Sequence, residues 1–271
     1  MMTGSGSGVG LVPADEEIAV DPGDRDDRAS RLAAWGVHLY TAIGLVLAAR
    51  IAVLLVRGGA GAFREAFTLM LVASLVDATD GTLARRANVK EVLPGFDGRK
   101  LDDLIDFLAY TFLPLGLIWR AGLLPGGMEA WLLLPLIASA YGFCQVDAKT
   151  EDGYFLGFPS LWNVVAFYLY ALHPPSWASL GIVVVLSVMT FVPSRYLYPS
   201  SQPGRLNVAS NILIVPWCLL LFATFWRLPT SGPPAPTDDL TWWLAAISLY
   251  FPAFYMAASW TITLKGWARR A

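Results

Sequence analysis

The sequence predicts an all-α fold, a polytopic membrane bundle of about eight transmembrane helices preceded by an acidic, disordered tail. Three observations carry that prediction. Of 271 residues, 56% are hydrophobic and only 15% charged. An ordinary soluble domain has about 25% charge, so this chain cannot keep its surface in water. Apolar runs long enough to cross a bilayer recur along it, and Lys and Arg fall mainly on alternate connections between those runs.

Taken in order, residues 1–28 are Gly/Ser-rich, lack apolar periodicity and carry seven of the 21 acidic residues between Asp15 and Asp27, the composition of a solvated tail. No basic segment leads into an apolar one there, so the tail is not read as a secretory signal. Residues 29–271 make one transmembrane domain, with runs at 33–56, 66–86, 99–120, 129–145, 160–172, 177–193, 208–227 and 240–264. The 160–172 run is short and bounded by Pro159 and Pro174. Eight spans put both termini on one side. That side holds fourteen cations: Arg25, Arg28, Arg31, Arg85, Arg86, Lys90, Arg99, Lys100, Lys149, Arg195, Arg205, Lys265, Arg269 and Arg270. The other holds four, Arg57, Arg64, Arg120 and Arg227. The positive-inside rule therefore places both termini in the cytoplasm. A net charge of −2 makes no case for nucleic acid. Cys144 and Cys218 lie in apolar runs and read as small buried hydrophobes.

Carboxylates within spans are costly and by default mark a functional site. The second run closes on Asp77, Asp80, Gly81, Ala84 and Arg85, and the third opens on Gly98, Asp102, Asp103 and Asp106. Asp77 and Asp80 are three apart, Asp102 and Asp106 four apart, so each pair shares a helical face, with Asp103 turned away. The short loop 87–97 sets both pairs at similar depth. Four convergent carboxylates repel one another, and hard divalent cations relieve the repulsion; oxygen-only ligands favour Mg²⁺, Mn²⁺ or Ca²⁺. Such a set can hold two ions, the arrangement suited to phosphoryl displacement. Gly81 and Ala84 leave room for a bulky group, and Arg85 offers a bidentate donor to phosphate.

The string D77-A-T-D80-G81-T-L-A84-R85, continued by G98-R-K-L-D102-D-L-I-D106, resembles the signature of the CDP-alcohol phosphotransferases, D-x2-D-G-x2-A-R then G-x3-D-x3-D. The twelve-residue spacer between Arg85 and Gly98 is longer than in most members and is similar to that of the bacterial phosphatidylcholine synthase branch. The segments YGFCQVDAKTEDGYFLGFPSLWN at 141–163 and RYLYPS at 195–200 are similar to that branch too. The resemblance implies an enzyme of a bacterial inner membrane that joins CDP-diacylglycerol to choline and releases CMP, with membrane lipid around it and a homodimer plausible. It implies that Asp77, Asp80, Asp102 and Asp106 hold two Mn²⁺ or Mg²⁺ ions, that Asp106 is the general base with Asp102 beside it, and that Asp77, Asp80, Gly81, Ala84, Arg85 and Gly98 receive the cytidine diphosphate.

Choline cannot donate a hydrogen bond from its nitrogen and is held by aromatic faces and carboxylates. The loop after the fourth span offers both, in Tyr141, Glu151, Asp152, Tyr154 and Trp162. The alternatives are the same chemistry with serine, glycerol 3-phosphate or inositol, and, from another class, a divalent-cation or small-solute transporter. Transporter sites tend to lie at the membrane midplane between repeats. These aspartates sit at one face, and no second acidic motif answers them.

Overall fold

The computed structural model describes residues 22–146, 148, 150, 153–197, 205–232 and 237–268. A chain this apolar folds into helices because each helix satisfies its own backbone polar groups without water. The order is α1 (Pro22–Arg57), α2 (Ala60–Arg86), the single turn α3 (Val89–Val92), α4 (Gly98–Asp106), a π-helical turn (Phe107–Phe112), α5 (Leu113–Arg120) and a 3₁₀ turn (Glu129–Leu132). It continues with α6 (Leu133–Cys144), β1 (Tyr154–Leu156), α7 (Trp162–Leu172), α8 (Ser176–Thr190), β2 (Arg195–Leu197), α9 (Arg205–Arg227), α10 (Asp239–Ser248) and α11 (Tyr250–Ala268). Helix α1 starts at Pro22, so residues 22–28, expected in the tail, are helical; residues 1–21 lie outside the described residues.

Four helical segments are long and apolar enough to cross a membrane: Asp27–Arg57, Ala60–Arg86, Val208–Arg227 and Asp239–Ala268. Shorter apolar helices occupy Glu129–Cys144, Trp162–Leu172 and Ser176–Thr190. The exposed faces are apolar too. On α9, Val208, Ile212, Val215, Leu219, Phe222 and Trp226 recur at helical spacing and all point outward. That stripe would be intolerable in water and is what lipid requires. This is an all-α membrane protein.

A short two-stranded bridge is an addition to the all-α expectation. β1 and β2 pair antiparallel, Phe155 opposite Tyr196. β2 also docks on α11, where the Arg195 N–H donates to Thr263 Oγ1 at 2.7 Å and the Leu197 N–H to Ser259 Oγ at 3.1 Å. The connections have no helix of their own, so their backbone groups pair with each other and with α11 hydroxyls. The core lies between α2, α7 and α9, where Phe63, Phe67, Phe167, Tyr170 and Phe225 interlock, Phe67 stacked on Phe225 at 6.0 Å between ring centroids. Both thiols are free. Cys144 ends α6 exposed rather than buried, because it lies at the last turn, and Cys218 is partly buried.

Candidate active site

The site is built at one end of the bundle, where α1, α2 and α4 meet. Asp77, Asp102 and Asp106 converge, each offering a carboxylate oxygen within 4.8 Å of the others. Asp103 is exposed, as its helical position requires. Around the three lies a small cavity whose walls include Thr41, Gly44, Asp80, Ile105 and Tyr110.

Asp80 is held apart from this trio. It is 6% exposed and accepts a 2.8 Å hydrogen bond from Thr41 Oγ1 of α1. One residue earlier on each helix, the Tyr40 and Thr79 hydroxyls meet at 2.8 Å. Asp77 is held from the other side. Tyr110, within the π turn, donates its hydroxyl to Asp77 Oδ2 at 2.7 Å. That turn follows Asp106 directly, as π turns frequently do at functional sites.

Thr41 and Tyr110 were not among the expected site residues. Tyr110 continues the i, i+4 series of Asp102 and Asp106, a signal the sequence does carry. Thr41 carries none beyond being a polar residue in an apolar run.

The remaining motif positions separate by what they touch. A side chain at Gly81 would meet, within 4 Å among the described residues, only the Arg85 guanidinium. Arg85 is exposed, and its Nη2 donates to Thr82 Oγ1 at 3.0 Å. Ala84 packs against the small cluster of Ala34, Val89 and Leu93, which pins the spacer to α1. Gly98 opens α4 against the buried His38 ring, and any side chain there would collide with the imidazole. Gly44 of α1 gives Ile105 the same close approach. One face of α1, through His38, Thr41 and Gly44, thus seats both halves of the motif. The helix it seats is capped by Asp97, whose side chain accepts the Lys100 N–H at 3.2 Å.

Of the residues expected around choline, the three that are described, Tyr141, Tyr154 and Trp162, each have a different neighbour. Trp162 is fully buried and donates its indole N–H to Ser139 Oγ at 2.9 Å, so it belongs to the core and presents no face to a small cation. The Tyr154 ring is covered by the Arg195 guanidinium, 5.5 Å from its centroid. Tyr141 is exposed, its ring 5.0 Å from that of Phe191. Glu151 and Asp152 lie outside the described residues, as do Asp147 and Lys149. His38 and His173 sit in α1 and at the end of α7, with no metal cluster shared between them among the described residues.

The oxygen-only donor set fits a hard divalent cation. The profile of the CDP-alcohol phosphatidyltransferase family matches residues 38–193, which contain every aspartate of the site. A phosphatidylcholine synthase of Pseudomonas aeruginosa is 44% identical over 168 residues, 61% of this chain and 69% of that protein. One from Bradyrhizobium diazoefficiens is 39% identical over 224 residues, covering 82% and 80%. One from Borreliella burgdorferi is 29% identical over 217 residues, covering 80% and 92%.

Proposed function

Because this chain belongs to the CDP-alcohol phosphatidyltransferase family, we propose that it makes phosphatidylcholine, joining the phosphatidyl group of CDP-diacylglycerol to the hydroxyl of choline and releasing CMP. The observation that carries this reading is the convergence of Asp77, Asp102 and Asp106 in a chain whose relatives are named phosphatidylcholine synthases. Members of the family use divalent metal ions. Here Asp77, Asp102 and Asp106, with Asp80 as a fourth carboxylate, would hold two, Mn²⁺ or Mg²⁺. Such ions, when bound, neutralise the diphosphate and stabilise the charge that develops on the leaving CMP.

The chain's own residues do the rest. Asp106 accepts the proton of the choline hydroxyl, whose oxygen forms a bond to the phosphorus carrying diacylglycerol. The bond from that phosphorus to CMP breaks, and CMP leaves with the electron pair. The room beside Gly81 and the exposed Arg85 guanidinium receive the cytidine diphosphate; Ala84 and Gly98 serve it indirectly, by close packing against α3 and α1. The choline ammonium needs an aromatic face. Tyr141, whose ring is exposed near the end of α6, is proposed to supply it. The carboxylates Glu151 and Asp152 are proposed to supply the negative charge.

The same reading assigns eight crossings: α1, α2, α4 through α5, α6, α7, α8, α9, and α10 with α11. Both termini and the aspartates then face the cytoplasm of a bacterial inner membrane, where a soluble alcohol and CMP can exchange. A homodimer follows from the family resemblance and is checked by light scattering in detergent.

The deciding experiment offers CDP-diacylglycerol in micelles with Mn²⁺ or Mg²⁺ and, separately, labelled choline, serine, glycerol 3-phosphate or inositol. Choline alone should enter lipid with release of CMP, and EDTA should stop it. Another acceptor would leave the catalytic site standing and overturn the choline assignment. No CMP with any alcohol would make ion transport the better reading.

A further inference from the structure

The end of the bundle opposite the aspartates holds a cavity of about 590 Å³, between the α1–α2 turn and the segment after α9. Its walls are fixed. Gly58 and Gly59 turn the chain with φ of 68° and 86°, which side chains rarely adopt. The Ala60 N–H donates to the Gly232 carbonyl at 2.9 Å, and Gly61 lets the Thr230 carbonyl approach where any side chain would collide.

Few arginines lie in this half of the bundle, and two of them line the cavity. Three of the arginines in this half are already engaged. Arg50 pairs with Glu65 at 2.6 Å, Arg120 donates to the Leu55 carbonyl at 2.9 Å, and Arg227 pairs with Asp238 at 3.1 Å. The remaining two, Arg57 and Arg64, both line the cavity and have no carboxylate partner among the described residues. The Arg64 guanidinium lies over the exposed Trp226 ring, 5.6 Å from its centroid, a cation–π contact that favours this position. The one carboxylate in the lining, Glu65, is taken by Arg50.

The cavity also has depth. It runs from Arg57 at the helix end to Thr68, eight residues into α2, or about 12 Å at 1.5 Å per residue. That reaches from a bilayer surface past its headgroup layer, about 5–8 Å thick, to the start of the acyl chains. Two guanidinium groups without a carboxylate partner among the described residues, at the mouth of this cavity and beside the exposed apolar stripe of α9, match a phosphodiester attached to acyl chains better than a free ion.

We propose that this cavity binds the phosphate of one anionic membrane phospholipid. Arg57 and Arg64 grip the oxyanion, and the acyl chains run along α9. The site is separate from the aspartates, so the proposal does not depend on which alcohol the enzyme uses.

The test uses the purified full-length protein, exchanged from vesicles of phosphatidylcholine with 20% phosphatidylglycerol into mild detergent and examined by native mass spectrometry. The wild type should retain one phosphatidylglycerol per chain. The pair Arg57→Gln with Arg64→Gln should lower the retained fraction at least tenfold, while Arg57→Lys with Arg64→Lys keeps most of it. Choline transfer at the other end, unchanged in both, shows that the variants fold. Equal retention by wild type and the Gln pair would overturn the proposal. So would displacement of the lipid by inorganic phosphate at matched concentration, which would make the site one for a free anion.

Discussion

The two halves of the aspartate site are built differently. Asp77 and Asp80 ride on α2, an uninterrupted helix of 27 residues. Asp102 and Asp106 ride on α4, a helix of 9 residues held by a cap at one end and passing into a π turn at the other. The long helix is fixed by its own core, Phe63, Phe67 and Met70 among others. The short one buries only Ile105 and depends on its neighbours: Gly98 on His38, Gly44 against Ile105. A stable helix can place a carboxylate anywhere along its length. A short one places it only as well as its ends are held.

The largest expected effect falls on the short half. Asp106→Asn keeps the shape and removes the proton acceptor, and general-base loss costs roughly 10²–10⁴-fold in rate. Choline incorporation by the variant, set against wild type, measures it. An Asp80→Asn variant should lose less if Asp80, already bonded to Thr41, stands outside the trio. Equal losses would mean that all four carboxylates act as one set.

The next two predictions compare the groups that hold the carboxylates. Tyr110→Phe removes a hydroxyl bonded to Asp77, and Thr41→Val one bonded to Asp80. Outer partners of metal-holding groups typically contribute 10–100-fold in metal affinity or activity. Tyr110→Phe should therefore raise the Mn²⁺ concentration for half-maximal activity about tenfold, and Thr41→Val should shift it less. Thr41→Ser, which keeps the hydroxyl, should restore the wild-type value. A larger shift from Thr41→Val than from Tyr110→Phe would reverse the ranking and make Asp80 a principal ligand.

Gly98→Ala tests the seat of the short helix directly. The new methyl group meets the His38 ring, and overpacking of this kind costs about 1–3 kcal/mol. Thermal unfolding in detergent should show the loss, and His38→Ala in the same chain should recover much of it. Failure of the second change to help would mean that Gly98 serves the substrate and not α1.

Much of this is legible in the sequence. Helical spacing singles out the aspartates because two neighbouring helices each carry a carboxylate pair on one face, and Asp77, Asp102 and Asp106 do converge; the apolar runs fall where the helices lie. What was hidden depends on contacts between distant segments. Thr41 reads as one polar residue in an apolar helix until α1 is laid along α2. Gly98 reads as a substrate-facing glycine until His38 is found against it. Trp162 is the converse case: an aromatic near an acidic loop suggests a cation site, but its indole turns inward to Ser139. Composition tells which residues could meet a ligand, and packing decides which of them already have a partner.

The smallest effect concerns the cap at the start of the short half. The Lys100 backbone N–H, donated to the Asp97 carboxylate, holds the Asp97 pKa below its ordinary value of 3.8. A depressed carboxylate pKa contributes stability that is complete above the unfolded-state value and is lost as the pH falls through the folded one. Asp97→Asn keeps a capping oxygen but cannot titrate. It should match the wild type in melting temperature near neutral pH and lose less of it between pH 5 and 3, roughly the range over which such a carboxylate protonates. Asp97→Ala removes the cap at every pH and should melt slightly lower throughout. Because Asp97 is exposed, both differences should be small beside that of Gly98→Ala. If Asp97→Ala also weakened Mn²⁺ binding, the cap would be shown to position Asp102 and Asp106 and not merely to start their helix.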